Sequence, residues 1–63
     1  GKKLVASRNL EKGKIITDED IIMKSPNDGL PPYEWDNIIG LTLQKDLKKD
    51  ENIRFEDLSS KTE

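Results

Sequence analysis

Apolar residues along this chain fall in short, widely spaced groups, and the groups recur. Leu4, Leu10 and Ile16 are matched 37 positions later by Leu41, Leu47 and Ile53. Lys12/Lys49, Glu19/Glu56 and Asp20/Asp57 repeat at the same offset, and Arg8/Lys45 and Ile21/Leu58 are conservative pairs. The matches fall on apolar anchors and turn positions, where a structural repeat would put them. Residues 4–21 and 41–58 are therefore read as two half-repeats. Each begins with a short alternating segment, 4–6 or 41–43, that predicts a strand. A polar turn follows, Glu11-Lys12-Gly13 or Lys48-Lys49-Asp50; Gly13 adopts a positive φ cheaply and Asp50 tolerates it at greater cost. A second short strand is expected over 15–16 and 52–54. Thr17 then resembles an N-cap before Asp18-Glu19-Asp20, the start of a brief helical turn. Neither copy can bury its apolar side alone, so the two must pack together with pseudo-twofold symmetry.

An insert over residues 24–40 joins the copies. Ser25-Pro26-Asn27-Asp28-Gly29 has strong turn chemistry and predicts an exposed loop. Pro31-Pro32 opens a predicted helix over 33–39, with Gly40 at its stop. Trp35, Ile38 and Ile39 share one apolar helical face. Beyond Leu58, residues 59–63 are polar and predict a flexible tail. The pattern as a whole predicts a mainly β domain with short α and 3-10 turns.

Composition narrows the function. With 63 residues the chain is one domain at most, and a chain this small buries only about 60% of its unfolded surface. It has no cysteine and no histidine, which excludes a disulfide framework, thiolate or imidazole zinc sites and the commonest catalytic triads. The absence of cysteine fits a cytoplasmic protein. Charged residues make up 38% of the chain but leave a net charge of only −2, without the basic excess of a nucleic-acid binder. No apolar run spans a membrane, and no signal peptide is visible. The chain begins with Gly rather than Met, as a segment excised from a larger protein would.

The acidic clusters Asp18-Glu19-Asp20, Asp50-Glu51 and Glu56-Asp57 read as caps and solvated surface rather than metal sites, and nothing in the chain predicts a catalytic residue. Trp35 belongs to the core, and Tyr33 can face a partner. The candidate binding residues are those of the loop, Lys24, Ser25, Pro26, Asn27 and Asp28, among which Lys24 and Ser25 offer donors to a carboxylate, a phosphate or a sugar hydroxyl.

Taken together, LVASRNLEKGKIITDEDI, KSPNDGLPPYEWDNIIG and DLKKDENIRFEDL resemble the antifreeze-like, or SAF, domain of sialic acid synthases, over residues 3–58. The middle block carries the most specific resemblance. Lys24, Pro26, Gly29, Leu30, Pro32, Ile38, Ile39 and Gly40 stand where the family shows Lys-Arg-Pro-Gly-x-Gly-Ile/Leu and then a Pro-initiated helix ending in Ile-Ile-Gly. The resemblance implies a β-clip fold, as in type III antifreeze proteins, and a preceding barrel domain. That barrel condenses phosphoenolpyruvate with an N-acetylated aminosugar such as N-acetylmannosamine, using a divalent metal; no cofactor is expected in this domain. The partners implied are the barrel of the same protein and that of a homodimer partner, whose active site the domain covers with its loop facing the sugar. Two positions depart from the family: Ser25 replaces the usual arginine, associated with the N-acetyl end of the sugar, and Asn27 replaces a glycine. A hydroxyl has neither the reach nor the charge of a guanidinium. Either the sugar differs or Lys24 compensates. The alternatives are an ice-binding protein, which Arg8, Glu11, Lys12 and Lys14 oppose with strongly hydrated side chains, and a generic SAF assembly or binding module.

Overall fold

A computed structural model describes residues 1–60. Strand β1 (Lys3–Ala6) pairs antiparallel with β2 (Ile21–Lys24), placing Lys3 opposite Lys24 and Ala6 opposite Ile21. Strand β3 (Thr42–Leu43) pairs antiparallel with β4 (Leu58–Ser59). Between the members of each pair lie a tight turn and one 3-10 turn, Asp18–Asp20 in the first copy and Phe55–Asp57 in the second.

The copies clasp through isolated bridges that obey the repeat offset. Leu10 faces Leu47, a pair that the offset maps onto itself, and Val5–Asn52 maps onto Ile15–Thr42, which is also present. Leu10 and Leu47 exchange N–H···O bonds of 2.8 and 2.9 Å. The Gly13 N–H donates to the Leu43 carbonyl, as the Asp50 N–H does to that of Ala6. The side-chain caps follow suit: Asp46 Oδ1 accepts from the Lys12 N–H and Asn9 Oδ1 from the Lys49 N–H. Each copy thus satisfies backbone groups of the other, which neither could bury unpaired.

The core sits between the copies. Leu4, Ala6, Leu10, Ile16 and Ile21 from the first meet Leu43, Leu47 and Ile53 from the second, and Ile38 of the insert closes the cluster. Each large aliphatic side chain buried here is worth about 1.5–3 kcal/mol. One carboxylate lies among them. Asp20 is fully buried, with Arg8 Nη2 at 2.9 Å from Oδ1, Lys14 Nζ at 3.0 Å from Oδ2, and the Thr17 N–H and hydroxyl both donating to Oδ2. Burial pushes its pKa up, but the Thr17 N–H, Arg8, Lys14 and the Thr17 hydroxyl outweigh this and hold it down at about 2.

The positive φ values expected at the two turns are present, 96° at Gly13 and 74° at Asp50. Four expectations need correction. The second strands at 15–16 and 52–54 are only the single bridges at Ile15 and Asn52, because a turn on one side and a 3-10 turn on the other leave no room for a ladder. The helix over 33–39 is a 3-10 turn, Pro32–Glu34, running into one α turn, α1 (Trp35–Ile38). Two prolines remove donors at its start and Gly40, at φ 87°, ends it, so the segment is too short to propagate further. Lys24 belongs to β2 rather than to the loop, since β1 needs a backbone partner along its whole length. Ser59 lies in β4 rather than in a tail, paired with Thr42; residues 61–63 of that expected tail lie outside the described residues. The apolar face of the insert is as read: Ile38 is buried, and Trp35 and Ile39 pack against the cluster. Among the described residues, no helix is long and apolar enough to cross a membrane.

Candidate functional site

Strand β2 delivers the chain to the surface, and every residue from Met23 to Gly29 is exposed. Ser25, Pro26, Asn27 and Asp28 therefore form an outward edge at the end of the first sheet, anchored on both sides. At its start, Lys24 Nζ lies 3.1 Å from Asp50 Oδ1, a residue of the turn in the second copy. At its end, Lys3 Nζ lies 2.8 Å from Asp28 Oδ1, and the Asn52 amide donates to the Asp28 carbonyl at 3.4 Å. Gly29 passes so close to Asn52 that an added Cβ would stand 3.1 Å from Nδ2. The hydrogen bond and charge of Lys3 hold the Asp28 carboxyl below its ordinary value, against a smaller upward push from desolvation.

These contacts define what the loop can do. Lys24 and Asp28 are each matched by an opposite charge, so the edge presents little net charge to a ligand. The side chains of Ser25 and Asn27 make no hydrogen bond to other described residues and remain available as donors and acceptors. Such an edge suits neutral hydroxyl and amide groups better than a phosphate. Lys24 is partly neutralised by Asp50, which limits it as a stand-in for an arginine. Among the described residues, no three carboxylates are placed to hold a metal ion, and no pair of groups on the loop forms a nucleophile with its base.

Sequence reasoning missed the surface beside the loop. Residues 29–31 and 53–56 enclose an open groove of about 230 Å³. Leu30, Pro31 and Phe55 give it apolar walls over the buried Ile53, and Phe55 is 45% exposed. Arg54 and Glu56 stand among the lining residues, and the Arg54 charge is felt at Asp28. Loop and groove meet at Gly29. Adjacent Arg-Phe-Glu in a polar run gave no periodic signal, although the position of Phe55 in the repeat, aligned with exposed Asp18, marks it as outward-facing.

The model of the SAF domain family matches residues 3–59. Over 53 residues the chain is 32% identical to the N,N'-diacetyllegionaminic acid synthase of Campylobacter jejuni, an alignment covering 84% of this chain and 16% of that enzyme. The chain therefore spans a small part of that relative's length. Among solved structures, the antifreeze-protein-like domain in human N-acetylneuraminic acid phosphate synthase matches with a TM-score of 0.84 at 24% identity, covering 89% of this chain and 72% of that one. The shared fold is the mainly β, antifreeze-like β-clip.

Proposed function

Because the chain belongs to the SAF domain family, we propose that it is the accessory domain of a larger sialic-acid-synthase-type protein and covers the barrel active site of a partner subunit. Its loop then faces an N-acylated aminosugar while the barrel condenses that sugar with phosphoenolpyruvate. The domain contributes binding and orientation and excludes water; the barrel carries the bond-forming chemistry and the divalent metal. Barrel active sites open at one rim, within reach of a domain from a neighbouring subunit. A protein consuming phosphoenolpyruvate in this way works in the cytoplasm.

The observation that carries this reading is the loop edge: Ser25 and Asn27 held outward between two anchoring ion pairs, on a scaffold related to part of a synthase. The test is steady-state kinetics of the full-length protein with Lys24→Ala and Asn27→Ala. Each should raise KM for the aminosugar, together by about tenfold, the worth of one or two hydrogen bonds, and leave KM for phosphoenolpyruvate unchanged. Unaltered kinetics for both substrates would sink the loop's role.

A further inference from the structure

We infer that the bond between Asp28 and Gly29 is a site of spontaneous backbone isomerisation, at which aspartate passes through a succinimide to isoaspartate, and that the Lys3 ion pair restrains the step. The inference is independent of the proposed function and needs no co-reactant but water.

Asp28 is the one Asp or Asn of the chain that glycine follows. Every other is followed by a residue whose side chain shields the backbone nitrogen from approach. Gly29 has no such shield. Its N–H donates to no described residue, so no hydrogen bond has to break before the nitrogen reacts. Both residues are exposed, and the Asp28 side chain is 67% open to solvent.

The fold retains both halves of this reactive pair. A Cβ at Gly29 would stand 3.1 Å from Asn52 Nδ2 and 3.3 Å from Lys3 Cδ, so the close approach of the loop to the second copy requires glycine. The Asp28 carboxylate, in turn, is the partner of Lys3, whose side chain is only 14% exposed.

In the first step the Gly29 nitrogen bonds to Asp28 Cγ. The carboxyl hydroxyl and the amide proton leave together as water, closing the succinimide ring. Water then adds to either ring carbonyl. Breaking the Cγ–N bond returns aspartate. Breaking the bond from the Asp28 main-chain carbonyl carbon to the nitrogen leaves the chain running through Cγ, as isoaspartate. One water departs and one enters, so the product is an isomer of the parent. The protonated carboxyl is the reactive form, because its hydroxyl can leave. Lys3 favours the ionised form and holds the carboxyl below its ordinary value. Its hydrogen bond also resists the rotation that attack requires. Isoaspartate adds a methylene to the backbone, which loosens the end of the loop at Lys3 and Asn52 while Lys24 and Asp50 still tie its start.

The test is to age the chain in neutral buffer beside Lys3→Met, Lys3→Arg and the isolated tryptic peptide of residues 25–45. Digestion with the protease Asp-N follows, since it cuts before aspartate and not before isoaspartate; cleavage before Asp36 is the internal control. The folded parent should accumulate isoaspartate at position 28, more slowly than the peptide, which lacks Lys3. Lys3→Met keeps the buried stem without the charge and should raise the rate severalfold. Lys3→Arg should stay close to the parent. Raised salt, which screens the pair, should accelerate the parent with no substitution at all. Isoaspartate in the peptide but in neither the folded parent nor Lys3→Met would overturn the site. A rate indifferent both to salt and to Lys3→Met, or Lys3→Arg reacting as fast as Lys3→Met, would overturn the restraint by Lys3.

Discussion

The two copies share a backbone and differ in what they do with it. In the first, the 3-10 turn is drawn inward: Asp20 is buried beneath Arg8 and Lys14, and Asp18 accepts a 2.7 Å hydrogen bond from the Trp35 indole, fastening the insert. In the second, Asp57 is only partly buried and its side chain makes no hydrogen bond to a described residue. Lys45, the counterpart of Arg8, turns instead to Glu51, the counterpart of Lys14, at 3.8 Å. Where the first copy has Thr17 and Asp18, the second has Arg54 and Phe55, and both face the groove. Backbone hydrogen bonds keep the symmetry, while side chains have made one copy a closed anchor and left the other an open surface. Conserving main-chain pairing is what lets the side chains diverge, because the fold's buried donors and acceptors are satisfied either way.

The sharpest way to break this comparison is to neutralise the equivalent acids. Asp20→Asn removes a buried charge from two cations and an N–H. Breaking such a cluster costs about 3–5 kcal/mol, and because Arg8 and Lys14 side chains are 56% and 34% exposed the cost should sit near 3 kcal/mol. Asp57→Asn should cost less than about 0.5 kcal/mol, as surface changes do. Urea denaturation of both variants measures the difference. Equal losses would show that the copies are equally anchored.

Acid provides a second, somewhat smaller lever. The folded pKa of Asp20 is depressed from 3.8 to about 2, so on acidification the unfolded state takes up its proton first. The stabilisation is therefore complete above the unfolded value and drains away as pH falls from about 4 toward 2. It amounts to about 2 kcal/mol. Stability measured across that window should fall steeply in the parent and in Asp57→Asn, and more gently in Asp20→Asn. A slope unchanged by Asp20→Asn would place the acid sensitivity elsewhere.

This asymmetry also explains what the sequence disclosed. The repeat showed through wherever the backbone does the same thing in both copies, at the apolar anchors Leu10 and Leu47, the turns at Gly13 and Asp50, and the 3-10 turns before Ile21 and Leu58. Strand β2 was hidden because Ile21 is buried while Met23, on the same face, is exposed, so the segment carries no alternation, and its partner lies a full half-repeat away. Strand β4 was hidden because the equivalence of Ile22 with Ser59 preserves a backbone role and no side-chain property. Asp20 looked like any acid in a cap. Its burial depends on Arg8 and Lys14 converging from separate segments, and linear spacing carries no record of that. The loop's exposure was legible from Pro26, Asn27, Asp28 and Gly29, whose chemistry is local, but its ties to Lys3, Asp50 and Asn52 were not. The groove was invisible for the same reason, being made by two segments brought together only in the fold.

The smallest expected effect separates turn geometry from loop anchoring. Gly13 and Asp50 are equivalent, both with positive φ, and an added Cβ at Gly13 would meet nothing within 4 Å. Gly13→Ala should therefore cost about 1 kcal/mol, all of it from the backbone conformation. Asp50→Gly relieves the same strain in the second copy and gives up the ion pair with Lys24. Those two side chains are 47% and 44% exposed, so the pair is worth little, and net stability should change by less than about 0.5 kcal/mol. What Asp50→Gly should alter is the loop: with Lys24 released, amide relaxation over residues 24–28 should report faster motion while Gly13→Ala leaves it unchanged. A loop equally rigid in both variants would mean that Lys3 and Asn52 alone fix the edge, and that the second copy's turn serves only the fold.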